Sequence, residues 1–240
     1  MAAPTLADSD KSTFNDSGTT DETAGSVAWE TGDIVLVFGL ISNNDAAGTT
    51  LATPTVAGLT FSLVTSLNVN SEGNDCTVYL WSATAGSASS GTIGSVTNTG
   101  TSSLRSGIVV QVWRGSDGIG TPATIDNSTA KTISVTTTQA NSRVAWAMGD
   151  WNAVNDVTVT ATPSGTIQHA QFETGQSTFF AGYTDDLVTV AAHACGIASH
   201  TGTVDMAGIA VEIKGTAGGG GTTPKNRFGK MLSGPFGGAV

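Results

Sequence analysis

The sequence predicts an all-β protein, an antiparallel and jelly-roll-like β-sandwich with an extended C-terminal tail. Short apolar runs recur along the chain and are separated by Gly, Ser, Thr, Asn and Asp, a pattern typical of sandwiches and barrels. Val and Thr are abundant, whereas strong helix formers such as Glu, Lys, Gln and Arg are scarce, which favours strands. No segment shows a convincing apolar period of 3.6 residues.

The composition divides the chain into four segments. Residues 1–23 are polar and weakly patterned, and we expect an N-terminal arm or an edge strand there. Residues 24–215 carry the apolar runs and form the β-sandwich body. A glycine-rich linker, residues 216–221, follows, and residues 222–240 form a basic and aromatic tail.

The strongest strand signals come from three apolar runs. Residues 32–41 begin with Gly-Asp and continue as an unbroken apolar run, which predicts a central strand covered on both faces. Residues 76–81 place Val78 and Leu80 on one face and Thr77, Tyr79 and Trp81 on the other, and residues 108–113 alternate in the same way, so each run also presents two faces. Shorter strands are expected around Ile133 and Val135, Val144 to Met148, Val157 and Val159, Phe179 to Tyr183, and Ile209 to Ile213.

Three patterns are weaker. Alternation over residues 59–64 predicts a strand with one buried face. Residues 187–199 are the least strand-like, and their alanine content could allow one short helix. Similar endings recur at residues 79–81, 112–115 and 211–215, but their irregular spacing favours equivalent strands of one sandwich over a sequence repeat.

The charge distribution bears on partners and location. The formal net charge is −10, and residues 1–221 hold all nineteen acidic residues and six of the nine basic ones. Such an acidic body repels phosphate backbones, so we expect no nucleic-acid partner. No apolar run is long enough to cross a bilayer, and residues 1–10 lack a signal-peptide pattern, so we expect cytoplasmic synthesis without membrane insertion.

Cys76 and Cys195 both lie in apolar, strand-like surroundings. A disulfide between them is one interpretation, and two buried free thiols is the one we favour.

Several of these segments together resemble a loosely defined group of β-sandwich domains in bacteriophage virion proteins and some bacterial surface proteins. The landmarks are Gly-Asp and an apolar strand at residues 32–37, Tyr-Leu-Trp-Ser-Ala-Thr-Ala at 79–85, and an apolar strand ending in Arg-Gly at 108–115. Leu59 stands where the group usually has Trp. The resemblance implies a virion building block of the minor tail or capsid-decoration type, and it brings no catalytic motif.

Chemistry-bearing motifs are sparse, so we expect no enzyme, no metal and no cofactor. His193, Cys195 and His200 could share a metal only if their segment formed a loop, and no fourth ligand is evident. The sequence Asp8-Ser9-Asp10 lacks the rest of a calcium loop. The glutamates Glu30, Glu72, Glu173 and Glu212 have no spacing that indicates a glycosidase pair.

Two aromatic residues are candidates for contact with a host surface glycan. Trp151 follows a predicted strand and Tyr183 precedes Asp185 and Asp186, so loops could present both rings. The competing interpretation, which we favour, is that both rings cap the ends of the core.

The tail is the strongest candidate for partner docking. It combines basic side chains with large apolar ones and buries too little to fold alone, so we expect it to fold onto another virion protein or another copy of this chain. The candidate docking residues are Lys225, Arg227, Phe228, Lys230, Met231, Leu232 and Phe236. We therefore predict a bacteriophage virion protein, a minor tail or tail-tip component that assembles as a homo-oligomer. The alternatives are a capsid decoration or head-fibre protein, and a carbohydrate-binding module for the host envelope.

Overall fold

The structure is a computed structural model that describes residues 2–14, 21–43, 50–71, 74–99, 105–128, 130–150, 161–173, 177–198 and 206–216. Its regular structure is entirely β-strand, which confirms the predicted all-β class. None of the described segments forms a helix that could span a membrane. The strands are β1 Thr5–Lys11, β2 Asp21–Trp29, β3 Ile34–Asn43, β4 Thr50–Leu51, β5 Ser62–Ser71, β6 Asn74–Thr84, β7 Ser89–Thr99, β8 Arg105–Arg114, β9 Ser116–Ile119, β10 Ala123–Ser128, β11 Thr132–Thr136, β12 Arg143–Asp150, β13 Ala161–Thr162, β14 Gly165–Glu173, β15 Ser177–Thr184, β16 Ala192–Ile197 and β17 Met206–Gly215.

The same strand topology occurs twice along the chain. In the first half, one sheet has the order β1-β8-β3-β6-β5 and a second has the order β2-β7-β4. In the second half, the corresponding orders are β10-β17-β12-β15-β14 and β11-β16-β13. β9 also pairs with β17 and makes the larger sheet six-stranded; leaving β9 aside, we call the two larger sheets the five-stranded sheets. Replacing each strand of the first half by its counterpart reproduces the second, and each half follows the alternating order of a jelly roll. The predicted sandwich body is thus a tandem of two jelly rolls that join near Gly115.

The hydrogen-bonding register supports this equivalence residue by residue. A bulge interrupts the pairing of β5 with β6 between Leu63 and Thr65, and a bulge interrupts the pairing of β14 with β15 between Ile167 and His169. Leu63 pairs with Trp81, and Ile167 pairs with Gly182, so both bulges stand at the same place in the two jelly rolls. Val64 and Gln168 are therefore equivalent positions.

The turn that precedes each central strand is also shared. Gly32, before β3, has φ 89°, and Asn141, before β12, has φ 57°. Both residues occupy the left-handed region, which glycine and asparagine tolerate best. In the first jelly roll this turn contains the Gly-Asp landmark, whereas the second has Asn-Ser at the same place.

Three apolar layers hold the four sheets together. The first core fills the first jelly roll, the second core fills the second, and the central interface lies between the two five-stranded sheets. The first core includes Val27, Trp29, Val35, Val37, Tyr79, Trp81, Ile93 and Val110. The central interface includes Leu36, Phe38, Leu40, Val78, Leu80, Trp113, Phe179, Ile209 and Ile213. The second core includes Ile133, Val144, Trp146, Met148, Phe180, Cys195 and Ile197.

The central strands β3, β8, β12 and β17 belong to two of these layers at once, which explains why apolar residues stand on both of their faces; Gln111 in β8 and Glu212 in β17 are buried polar exceptions. The predicted assignment of Val78 and Leu80 to one face and of Tyr79 and Trp81 to the other is confirmed, because the first pair faces the central interface and the second pair the first core.

Two sequence predictions are wrong. Leu59 and Phe61 are buried but precede β5, and Leu63 within β5 is 52% exposed, so residues 59–64 are not a continuous strand with one buried face. The described part of residues 187–199, which ends at residue 198, contains β16 and no helix, because residues 192–196 pair with β11 in register.

The first and last residues that the structure describes, Ala2 and Thr216, meet at one end of the tandem. The Thr216 N–H donates to the Ala2 carbonyl oxygen at 3.2 Å, and the Ala2 nitrogen lies 3.4 Å from Thr216 Oγ1. The rings of Trp113 and Tyr183, near the ends of β8 and β15, meet edge to face with centroids 5.2 Å apart. We call this the terminal end. β1 is the edge strand of its sheet, and an edge strand was one of the two interpretations of residues 1–23.

Candidate functional site

The two five-stranded sheets stack with their edges aligned. Edge strand β1 lies beside edge strand β14, and edge strand β5 lies beside β10. This arrangement relates the jelly rolls by an approximate two-fold axis along the strands. A cavity of about 220 Å³ opens at the β1/β14 edge and is lined by Ser9, Asp10, Lys11, Val109 and Gln168. We call it the edge cleft.

Both jelly rolls contribute side chains to the edge cleft. Lys11, at the end of β1, reaches across to β14, where its Nζ lies 3.4 Å from Nδ1 of His169. Gln168 is the bulged residue of β14, and the bulge directs it away from the regular alternation of the strand. Val109 from β8 is buried and provides an apolar floor.

A buried glutamine orients Gln168. The Gln111 side chain is fully buried within the central interface, and its Nε2 donates to Oε1 of Gln168 and, at 3.4 Å, to the Gly182 carbonyl oxygen. The Gln111 Oε1 accepts a hydrogen bond of 2.9 Å from Trp113 Nε1. Because the Gln168 carbonyl oxygen is held from below, its NH₂ group is directed to the opposite side of the amide.

Two stacked aromatic rings lie next to Lys11, behind the residues that line the edge cleft. The rings of Phe14 and His169 lie 3.9 Å apart and 11° from parallel, and Phe14 also contacts Phe179 at 5.4 Å. Phe14 lies directly on Gly107, where an added Cβ would come within 2.4 Å of the ring. The glycine in β8 therefore makes room for the ring that closes this side of the edge cleft.

The backbone of β1 adds acceptors to the edge. Ser9 N–H donates to Asp8 Oδ1 at 2.8 Å and Lys11 N–H donates to Asp10 Oδ1 at 2.7 Å, so neither amide donates to β8. In an antiparallel strand the N–H and C=O groups of one residue point to the same side. The carbonyl oxygens of Ser9 and Lys11 therefore face outward along the edge that borders the cleft.

A bidentate ion pair holds the turn before β3. The Asp33 carboxylate is buried and accepts from Arg114 Nη2 at 2.9 Å, from Arg114 Nε at 3.2 Å and from the Glu30 N–H at 2.8 Å. The hydrogen bond to Asp33 raises the pKa of Arg114. The Gly-Asp and Arg-Gly landmarks of the sequence are therefore two sides of one structural contact. Glu30 lies at its exposed rim, 3.1 Å from Arg114 Nη1.

Glu212 has a similar structural role in the second jelly roll. Its fully buried carboxylate accepts hydrogen bonds of 2.8 to 3.0 Å from the Thr138 and Gln139 N–H groups and from the Thr138 and Ser142 hydroxyls. These donors belong to the turn before β12, so Glu212 ties β17 to that turn. Every one of its contacts is to the protein's own framework.

Tyr183, one of the two candidate glycan contacts, is half-buried. Its ring meets Trp113 edge to face, and Arg143 Cζ lies 5.9 Å from its centroid. This placement favours the interpretation that the ring caps the core. The other candidate, Trp151, lies outside the described residues, as do all seven candidate docking residues of the tail.

The structure has both Cys76 and Cys195 as buried free thiols, as the favoured interpretation predicts. Burial raises the pKa of Cys195 to about 12. The predicted strand around Val157 and Val159, along with His200 and Glu72, lies outside the described residues.

Sequence reasoning did not find the edge cleft. Ser9, Asp10 and Lys11 belong to the segment interpreted as weakly patterned, and Gln168 was not singled out. The available signal was a strand in which polar and charged residues stand at every position from Asp8 to Lys11, but a sequence alone does not show which second edge lies beside it.

Comparison of the chain with protein-family models, with curated proteins and with solved structures gives no match. The resemblance to phage virion domains therefore stays a prediction.

Proposed function

We propose that this chain is a non-enzymatic structural protein of a bacteriophage particle, a minor tail or tail-tip component anchored through residues 222–240. The observation that carries the proposal is the contact between Ala2 and Thr216 at the terminal end. Because Thr216 lies at that end, a particle that holds the residues after it would leave the rest of the tandem projecting as one unit.

The architecture supports a building block. Jelly rolls form many viral capsid proteins and lectins, although a fold by itself does not determine function. The central interface joins the two jelly rolls through large apolar side chains from β3, β8, β15 and β17, which suits a stiff body rather than two mobile domains.

Two of the buried carboxylates, Asp33 and Glu212, support the same proposal. Catalytic carboxylates must reach a substrate, and they are found in clefts with tuned environments. Asp33 and Glu212 are instead engaged by an arginine, by backbone N–H groups and by hydroxyls of the framework. Their chemistry is that of turn anchors.

Removing the tail tests the anchoring step. We expect a chain ending at Thr216 to fold like the full chain, with the same circular dichroism and thermal midpoint, but to be missing from purified phage particles. Equal incorporation of the truncated and full chains, measured by quantitative mass spectrometry of particles, would refute anchoring by the tail.

Labelling of intact particles with an antibody to the body tests the assignment to the tail. With a gold-conjugated antibody, we expect electron micrographs to show the gold particles at the phage tail or tail tip. Gold on the head would assign the chain to capsid decoration or head fibres instead. A particle without the protein would refute the virion proposal altogether.

A further inference from the structure

Because the jelly roll is duplicated, the edge cleft can be compared with the equivalent place in the same protein, the β5/β10 edge. In the first jelly roll Val37 pairs with Trp81 and Val110, and Asp10 pairs with Val110. In the second, Trp146 pairs with Gly182 and Ala210, and Ala123 pairs with Ala210. With the matching bulges as the anchor, each residue of the edge cleft has a counterpart at the β5/β10 edge.

The counterparts are mostly apolar. Ala123 stands at the place of Asp10, Thr124 at that of Lys11, and Val64 at that of Gln168. Val64 packs against the central interface. Beneath them, Val211 stands at the place of the buried Gln111.

The β5/β10 edge shows that this fold can close a sheet edge without the polar side chains found at the edge cleft. Burying a polar side chain such as Gln111 costs stability unless every partner is in place. The β1/β14 edge nevertheless keeps a network of polar side chains, which runs from Gln111 through Gln168 to the cleft surface. Gln111 itself has a structural role, because it accepts from Trp113 Nε1 and the counterpart of Trp113 is Ile213, which needs no acceptor. Gln168, which carries the network to the cleft surface, is the part that a ligand would use.

We propose that the edge cleft is a binding site for one ring of a neutral, hydroxyl-rich saccharide. The site offers donors in the Lys11 ammonium, the Gln168 amide and the Ser9 hydroxyl, and acceptors in the outward carbonyl oxygens of β1. A sugar hydroxyl uses both kinds of partner at once. Val109 lies beneath them and is buried, so the polar groups carry most of the contact with the ligand.

Charge and size narrow the ligand class. Lys11 contributes one positive charge to the lining, the Asp10 carboxylate is turned towards Gly25 of β2 and accepts from the Lys11 N–H, and the whole chain carries −10, so the surrounding charge disfavours an anion. A cavity of about 220 Å³ is smaller than drug-sized pockets, which begin at about 300 Å³, and suits a single ring. His169, the nearest ring, is 6% exposed and offers little stacking surface.

The affinity of one site is therefore low, with a Kd of about 1 mM, as expected for a few hydrogen bonds exposed to water. Multiple copies on one surface would raise the effective affinity by avidity. The inference concerns the purified chain and holds whether or not the protein belongs to a phage particle.

Saturation-transfer NMR of the full chain tests the site directly. The probes are neutral hexoses and N-acetylhexosamines, with glucuronic acid and inorganic phosphate as anionic comparisons. We expect transfer to neutral sugars and a Kd near the millimolar range. No transfer to any neutral sugar at tens of millimolar, or transfer to the anions alone, would overturn the proposal.

The residues of the β5/β10 edge suggest which substitutions to test at the edge cleft. Lys11→Thr with Gln168→Val installs the residues of the β5/β10 edge, which the fold already accommodates at that place. Because Gln168→Val removes one partner of the buried Gln111 Nε2, we expect this double variant to fold with a lower thermal midpoint and to lose sugar binding at least tenfold. Lys214→Thr, which removes one positive charge outside the cleft, is the matched control and should bind as wild type. Unchanged binding by a folded double variant would overturn the assignment, and if the double variant does not fold, Lys11→Thr alone must weaken binding.

Discussion

Replacing the buried carboxylate of Glu212 tests whether it is a structural anchor. Its Oε1 accepts from the Thr138 N–H at 2.8 Å, the Gln139 N–H at 3.0 Å and the Ser142 hydroxyl at 2.8 Å. Its Oε2 accepts from the Thr138 hydroxyl at 2.8 Å. Glu212→Ala removes all four bonds, whereas Glu212→Gln keeps an oxygen for the first three donors.

The expected loss in the free energy of unfolding follows from these four hydrogen bonds. Leaving a partly buried donor unpaired costs about 1–3 kcal/mol, and the lower half of that range applies here because Thr138 is exposed and water can reach its N–H. With two backbone donors orphaned and two hydroxyls free to rotate, we expect Glu212→Ala to lower the free energy of unfolding by about 3 kcal/mol. Glu212→Gln should lower it by about 1 kcal/mol.

Urea unfolding measures the difference, followed by the fluorescence of tryptophans such as Trp146, which is buried in the second core. In thermal unfolding, the loss for Glu212→Ala corresponds to a fall of about 6–12 °C for a chain of this length. The reasoning is refuted if Glu212→Ala costs less than about 1 kcal/mol, or if the glutamine variant is as damaging as the alanine variant.

Two further predictions concern packing and pH. An alanine at Gly182 would place its Cβ 2.4 Å from the Thr166 carbonyl oxygen and 2.8 Å from the Trp146 ring. We therefore expect Gly182→Ala to lower the free energy of unfolding, measured in urea, by about 1–3 kcal/mol. The control is Gly86→Ala, which should leave it unchanged because the space around the added Cβ is open. The pKa of the Cys195 thiol is about 12 in the folded chain against an ordinary value of 9.0. Its contribution to stability is therefore complete below pH 9 and is lost as the pH rises towards 12. The thermal midpoint of Cys195→Ala should accordingly fall less steeply than that of wild type over this interval, and parallel curves would contradict the prediction.

Runs buried on both faces were predictable from the sequence. β3 and β8 are apolar at nearly every position because each of their faces belongs to a different layer. The alternation over residues 59–64 led to a wrong strand prediction, because Leu59 and Phe61 are buried but belong to the loop before β5. At β16 the alanine content suggested a helix, but pairing with β11 decides the conformation, as tertiary context often does.

The duplication was not predictable, because equivalent positions hold different residues. In the first jelly roll, Trp81 on β6 fills the core beside Gly39 on β3. In the second, Trp146 on the central strand fills it beside Gly182. The two halves thus supply the same bulk from different strands, and the similar endings at 112–115 and 211–215 are the remaining trace in the sequence.

The edge cleft depends on which edges lie side by side, and Lys11 and His169 are 158 residues apart along the chain. Nothing local marks either residue as part of a site. Only the stacking of the two five-stranded sheets brings them together.

Splitting the chain after Gly115 tests most directly that the body is two jelly rolls sharing one apolar interface. Residues 1–115 and 116–240, expressed together, should form a one-to-one complex with the circular dichroism of the intact chain, because each half needs the other to cover its five-stranded sheet. Each half expressed alone should aggregate or bind a hydrophobic dye. Two soluble halves that fold separately and do not associate would contradict the account.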